Sequence, residues 1–262
     1  MTVDAVGGVR LSGDGAVLRV LIDRPHRLNA IDLDVLAGLE AMLATAAERR
    51  VKVVVLRGVG GSFCSGADLH MVRQMAHDGP ALRSFMARLG EVLEGLERAP
   101  FVSVAVVEGY AVAGGCELLL ACDIAVAAED ARIGDRHVEY GLAPAAGGSV
   151  RLVGSTSAAF ARYLLLTGEL VSGSDAVAMG IAARAVPAEA LDGEVDRLVA
   201  RLASRGRGAL GTVKAMLRPS SEFGSRARLE RELDLFLEHM TTSSDPHVGL
   251  QAFVDGTAAT FE

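Results

Sequence analysis

The chain opens on a short alternation of apolar and polar positions, Val9-Arg10-Leu11-Ser12, followed by a Ser-Gly-Asp-Gly turn and the apolar run "AVLRVLID" at 16–23. Two such runs across a glycine-rich turn predict an antiparallel hairpin. The period then changes: Leu33, Leu36, Leu39, Met42, Leu43 and Ala46 recur at helical spacing behind Asp32, a residue suited to an N-cap. "VKVVVLRG" (51–58) and "FVSVAVVEG" (101–109) are continuous apolar runs of the kind buried on both faces of a parallel sheet. Helical segments are predicted between them, around 68–76 and 80–98. A short helix, "GGCELLLAC" (114–122), leads into a further strand, "DIAVAA" (123–128). Strands alternating with helices predict an α/β fold with crossover connections. From about Glu194 no strand signal remains, and "LVARLASRGRGALGTVKAML" (198–217) and "RARLERELDLFLEHM" (226–240) have amphipathic helical spacing. This divides the chain into an α/β core, 1–193, and a helical C-terminal region, 194–262, whose apolar faces need the core or another subunit to cover them. No internal repeat interrupts this order.

Composition narrows the function classes. With 262 residues, half of them hydrophobic, the chain buries a full core. A formal charge of −7 argues against a nucleic-acid binder, whose affinity rests on clustered cations. Lys52 and Lys214 are the only lysines, so Schiff-base chemistry has few candidates. The N-terminus has no signal-peptide pattern, and no apolar run approaches a membrane span, so a cytoplasmic protein is expected. Cys64, Cys116 and Cys122 form no CxxC pair and have no histidine at zinc spacing; they are expected to be small buried hydrophobes, with no metal required.

Two glycine-rich strand ends bear on chemistry. "VVVLRGVGGSFCSGADL" passes from strand through a turn to Ser65-Gly66-Ala67-Asp68 at a helix start, and "VVEGYAVAGGCELLL" repeats that order with Gly114-Gly115. Backbone N–H groups at a helix start have no intrahelical acceptor and sit at the positive end of the dipole. Two of them converging from different strands would form an oxyanion hole for a carbonyl oxygen that gains charge. The plainer alternative is that these glycines only make tight turns. "GVGGSF" lacks the GxGxxG spacing and no GK[ST] follows, so neither a dinucleotide nor a P-loop site is supported. Glu117 favours the oxyanion reading, because it lies three residues after Gly114 on the same face of an otherwise apolar helix. A carboxylate beside an anion-stabilising amide is placed to take a proton from the carbon next to a polarised carbonyl.

The runs "RPHRLNAID", "FCSGADL", "GYAVAGGCELLLACDIAVAAEDARIG" and "GLAPAAGGSVRL" together resemble the crotonase superfamily, the enoyl-CoA hydratase/isomerase family. The likeness continues in order through "GSDAVAMGIAARAVP" to "SSDPHVGLQAF". It implies a spiral of ββα units with a helical C-terminal region, assembled as a homotrimer or dimer of trimers. It also implies an acyl-CoA thioester as ligand and no metal or redox cofactor, coenzyme A being part of the substrate. On this resemblance the oxyanion amides fall on Ala67 and Gly114. The coenzyme A path falls on His26, Arg27 and Leu28 and on Ala67, Asp68 and Leu69, and the first catalytic glutamate on Glu117.

The second carboxylate departs from the pattern. Hydratases of the family place a second glutamate twenty residues after the first, in a segment resembling "GQPEILLG", and aligning that on "GDRHVEYG" puts His137 at the catalytic position. Asp135 and Glu139 fall to either side, and bringing Glu139 into place requires a two-residue shift between Gly134 and Gly141. Spacing alone leaves the geometry open, since residues 137 and 139 share a face on a strand and diverge on a helix. A Glu117–His137 couple suits hydration by an enoyl-CoA hydratase, double-bond isomerisation, decarboxylation or hydrolysis of a carbon–carbon bond. A histidine that only packs, beside a Glu117 acting alone, is the structural alternative, and a non-catalytic acyl-CoA binder is the functional one. Glu139 is expected to make a salt bridge or subunit contact, and Asp68 to cap its helix. "GLAPAAGGS" holds no carboxylate near Ala145, so chemistries that use a later aspartate lose support. His70 has equal claims to the cleft and to solvent.

Overall fold

The computed structural model describes residues 4–13, 15–75 and 77–217, with scattered positions between 238 and 260. Asp14, most of the segment 226–240 and part of 243–253 lie outside the described residues.

The predicted hairpin is β2 (Val9–Ser12) against β3 (Val17–Ile22), with Val9 opposite Ile22, and β1 (Asp4–Val6), too short to signal itself, adds to its edge. Helix α1 (Leu33–Glu48) starts where the Asp32 side chain accepts from the Val35 N–H at 2.9 Å. Its buried face is Val35, Leu36, Leu39, Met42 and Ala46. Leu33, expected on that stripe, is 44% exposed in the first turn, beside the fully buried Val35 and Leu36.

After α1 the chain repeats one unit. A strand joins the large sheet, a shorter extended segment joins a small one, and a helix covers both. β4 (Val53–Gly58) is followed by bridges at Cys64 and Ala67 and by α2 (Leu69–Met75) and α3 (Gly79–Arg98). β5 (Val102–Val107) is followed by β6 (Tyr110–Val112) and α4 (Gly114–Leu120). β7 (Ile124–Ala128) is followed by β8 (Arg132–Gly134), α5 (Gly148–Ser155) and α6 (Ala158–Thr167). Then come α7 (Gly173–Ala178) and β9 (Arg184–Val186). The seven-stranded sheet runs β1-β2-β3-β4-β5-β7-β9 and is parallel from β3 onward. The small sheet pairs β6 with β8 in parallel, and the bridges Ile31–Ala67, Cys64–Ala111 and Ile133–Val171 extend it. This is the ββα spiral. β4 and β5 are almost wholly buried, which is why they read as unbroken apolar runs.

Two helices close the described chain, α8 (Leu191–Ala203) and α9 (Arg207–Leu217). α8 starts at Leu191, so the division between 193 and 194 falls inside it, and it packs on β4, β5 and β7. α9 is fastened by a buried cation. Lys214 Nζ donates to the Leu96 and Phe101 carbonyls at 2.7 and 2.9 Å and pairs with Asp123 at 2.7 Å. Asp123 in turn accepts from the Ser103 N–H and hydroxyl at the start of β5. Removing Lys214 takes the cation from a partly exposed carboxylate and the donor from two carbonyls. Lys214→Met is expected to destabilise the fold by about 3–5 kcal/mol, measured by urea unfolding; a loss under about 1 kcal/mol, the range of a surface pair, would show that the cation does not hold α9.

Candidate active site

The small sheet brings the two glycine-rich strand ends into backbone contact. Gly66 C=O accepts from Ile31 N–H at 2.7 Å and Asp68 N–H donates to Ile31 C=O at 2.9 Å, so both groups flanking Ala67 turn toward Ile31. The Ala67 N–H, by the alternation of an extended chain, points the other way. On that side stands Gly114, the first residue of α4, whose N–H has no intrahelical acceptor. A Cβ on Gly66 would lie 2.8 Å from Gly114 N, one on Gly114 3.3 Å from Ala67 N, and one on Gly115 2.0 Å from the Cys64 carbonyl oxygen. No side chain fits between these turns. Ala113, joining β6 to α4, is held at φ 51° and ψ −122°, a conformation a non-glycine residue adopts only under surrounding constraint.

α4 is buried along Gly114–Leu119, and its one carboxylate, Glu117, is 2% exposed. Glu117 Oε1 accepts from the Ala146 N–H at 3.0 Å and the Gly148 N–H at 2.8 Å, at the start of α5. Burial raises its pKa above the ordinary glutamate value, against the pull of those two amides and of His137. The carboxyl is thus fixed by one oxygen while its residue still lines the cavity.

The stretch 134–141 is a left-handed Arg136 followed by a single 3-10 turn, His137–Tyr140. Side chains three apart eclipse on such a turn, so His137 and Tyr140 share a side and both line the cavity. Glu139 points elsewhere and forms an ion pair with Arg136. Asp135, 1% exposed, contacts His137 Nδ1 through Oδ1 at 2.8 Å. Burial alone would lower the His137 pKa, but Asp135 and then Glu117 outweigh it and hold it above the ordinary histidine value.

These groups surround a cavity of about 530 Å³, a size that takes a small-molecule ligand. Arg27, Leu28, Ala67, Asp68, Leu69, Gly114, Glu117 and His137 line it, and His26, on the same loop as Arg27, does not. His70 is both exposed and on the cavity wall. Asp68 caps α2, accepting from the His70 N–H at 2.9 Å, and pairs with Arg24 at 2.8 Å. Burial pushes its pKa up, but Arg24 and the backbone N–H groups more than reverse this and leave it below the usual aspartate value.

Two residues that organise the site have no role assigned to them by the sequence. Asn29, fully buried at φ 59°, accepts from the Arg24 N–H and donates to the Val59 and Ser62 carbonyls, locking the Arg27–Leu28 loop to the turn after β4. An asparagine in the left-handed region is a recognisable signal, but its partners are not adjacent in sequence. Asp135 falls outside the catalytic position by register, and its contact with His137 arises from the left-handed Arg136 between them. Among the described residues no cluster of ligating side chains is arranged to hold a metal ion, and no helix is long and apolar enough to cross a membrane.

The sequence profile of the enoyl-CoA hydratase/isomerase family matches residues 12–262. The chain is 31% identical over 249 residues to the 2,3-dehydroadipyl-CoA hydratase of Escherichia coli strain K12, covering 94% of this chain and 95% of that protein. It is 29% identical to the crotonyl-CoA hydratase of Syntrophomonas wolfei, over 92% of each. Among solved structures, an enoyl-CoA hydratase from Bacillus anthracis superposes with a TM-score of 0.90 at 27% identity, covering 97% of this chain and 98% of that one.

The contact between the strand ends can be separated from the cost of a left-handed backbone. Gly66 (φ +91°) has Gly114 against it, whereas Gly61 (φ +76°) has open space. Gly66→Ala is expected to cost about 2–5 kcal/mol, combining strain and overlap, and Gly61→Ala about 1–2 kcal/mol from strain alone. Equal losses in urea unfolding would remove the argument from close approach.

Proposed function

The chain belongs to the enoyl-CoA hydratase/isomerase family, and on that premise we propose that it adds water across the double bond of a 2-enoyl-CoA, with Glu117 and His137 as its acid–base pair. It is an enzyme of acyl-CoA thioesters; the finer assignment rests on one observation, that a buried carboxylate and an imidazole line the same cavity as Ala67 and Gly114. In this reading the two N–H groups donate to the thioester oxygen and stabilise the charge that develops there. Glu117 accepts a proton from water as the hydroxyl oxygen bonds to the β-carbon. The double-bond electrons pass toward the thioester oxygen as an enolate forms. Protonated His137 then supplies the proton that bonds to the α-carbon, and the thioester carbonyl is restored. The raised His137 pKa keeps that acid charged nearer neutrality, and the raised Glu117 pKa makes its carboxylate a stronger base.

The coenzyme A portion is assigned to the cavity mouth, with Arg27 and Leu28 on one segment and Asp68 and Leu69 on the other; His26 does not line the cavity. No resident cofactor enters this scheme. We further assign assembly to a homotrimer or dimer of trimers in the cytoplasm. The apolar side chains Val150, Val153, Phe160 and Leu166, exposed at 75%, 56%, 43% and 75% on α5 and α6, support a second copy as their cover.

Glu117→Gln is expected to lower kcat for crotonyl-CoA hydration by about 10²–10⁴ while the acyl-CoA Kd, from calorimetry, stays within about threefold. A wild type that binds acyl-CoA yet turns over no 2-enoyl, 3-enoyl or β-keto thioester would be a binder and would overturn the enzymatic scheme. Conversion of a 3-enoyl-CoA without hydration of the 2-enoyl isomer would replace hydration by isomerisation.

A further inference from the structure

Asp135 is the most deeply buried acid near the cavity and no step above uses it. Its Oδ1 meets His137 Nδ1 at 2.8 Å and accepts from the His137 N–H at 3.3 Å. Its Oδ2 is buried with no hydrogen-bond partner among the described residues. That second oxygen and Glu117 both border Gly148: a Cβ built there would stand 2.9 Å from Asp135 Oδ2 and 3.1 Å from Glu117 Oε1. Gly148 therefore leaves free the space that both carboxylates border. An unpaired buried oxyanion is costly, and one so close to a second carboxylate more so. The cation that can offset both is an imidazolium at 137.

From this geometry we infer that Asp135 is a positioning residue for His137, fixing the proton on Nδ1 and turning Nε2 toward the substrate cavity as the acid–base nitrogen. An ionised carboxylate only accepts, so the nitrogen it touches must bear the hydrogen. With Nδ1 engaged by a buried partner, the opposite edge of the ring is what remains for the cavity that His137 lines. The backbone N–H bond to the same oxygen holds ring and carboxylate together across the left-handed Arg136. The other charges nearby are already committed. Arg136 pairs with Glu139 on the same turn, Tyr163 donates to Glu169 at the end of α6, and Arg151 of α5 pairs with Glu97. Asp135 and Glu117 are thus the charges that act on the ring, and both favour its protonated form.

The assignment rests on the proposed role of His137, and its test separates the two. In ¹⁵N-histidine spectra of the wild-type protein, the His137 ring is expected to keep a proton on Nδ1 above its pKa and to titrate above 6.5. Nδ1 bare of hydrogen in the neutral ring would overturn the inference, whether or not the enzyme is active and whether or not any variant folds. Asp135→Asn is then expected to lower the His137 pKa and to cut kcat for crotonyl-CoA hydration by about 10² with KM within about twofold, moving the alkaline limb of the kcat profile to lower pH. In a His137→Gln background the same change should cost no further turnover. An unchanged pKa and kcat in Asp135→Asn would sink the positioning role. A lowered pKa with turnover insensitive to both residues would instead keep the dyad and remove His137 from the reaction.

Discussion

Everything at this site depends on two backbone turns meeting with no side chain between them. The contact has Gly66 and Ala67 on one turn, Gly114 and Gly115 on the other, and the Cys64 carbonyl against Gly115. It is possible because the small sheet runs both chains in parallel through the Cys64–Ala111 bridge and ends them at the same level. α4 and α2 then leave in register, so two helix starts face one cavity. The strained Ala113 marks how far the surrounding sheet dictates this geometry: an alanine at φ 51° persists only where its neighbours leave no other path.

Charge is arranged around that contact by burial. Glu117 emerges from the apolar helix α4 and is kept from solvent, yet one of its oxygens is satisfied by two amides at the start of α5. The loop that presents them is itself tied down, because Arg151 donates to the Ala146 carbonyl at 2.5 Å while pairing with Glu97 of α3. A carboxylate half-bonded in this way is desolvated without being fully neutralised, the state in which its proton affinity is most open to the groups beside it. Asp135 and His137 are those groups. The groups proposed for binding and for proton transfer therefore sit on the same short loops, beside the large buried sheet.

What could be read from the sequence follows from how local each feature is. The hairpin, α1 with its Asp32 cap and the buried strands β4 and β5 announce themselves, since each is set by a period or a cap within a few residues. β6, β8 and β9 do not, because three-residue strands carry no period; their pairing is imposed by the spiral. At the cavity the glycines, Glu117 and His137 were visible as residue types, and resemblance to the family supplied their register. The choice between His137 and Glu139 was not open to spacing arguments, because the segment is neither strand nor α-helix but one 3-10 turn, which sends the two side chains apart. Asn29 acts through Val59 and Ser62, which only the folded chain brings close, and Asp135 meets His137, two residues on, only because the left-handed Arg136 turns the chain between them.

The departure at 137 is better understood as two linked changes than as one. The resembling hydratase segment has glutamine and glutamate where this chain has Asp135 and His137. A glutamate placed at 137 here would be a third carboxylate beside Asp135 and Glu117 in a site of low dielectric, with Asp135 Oδ2 already unpaired. Like charges held that close cannot all ionise, so one would take up a proton and lose its use as a base. A histidine avoids this, since its protonated form cancels one of the two charges it faces and its pKa is raised by doing so. Conversely, a histidine at 137 with a neutral glutamine at 135 would keep the ring but lose the anion that selects its tautomer. The aspartate and the histidine therefore belong together, and Gly148, too small to intrude on Asp135 or Glu117, lets the buried acids share one cation.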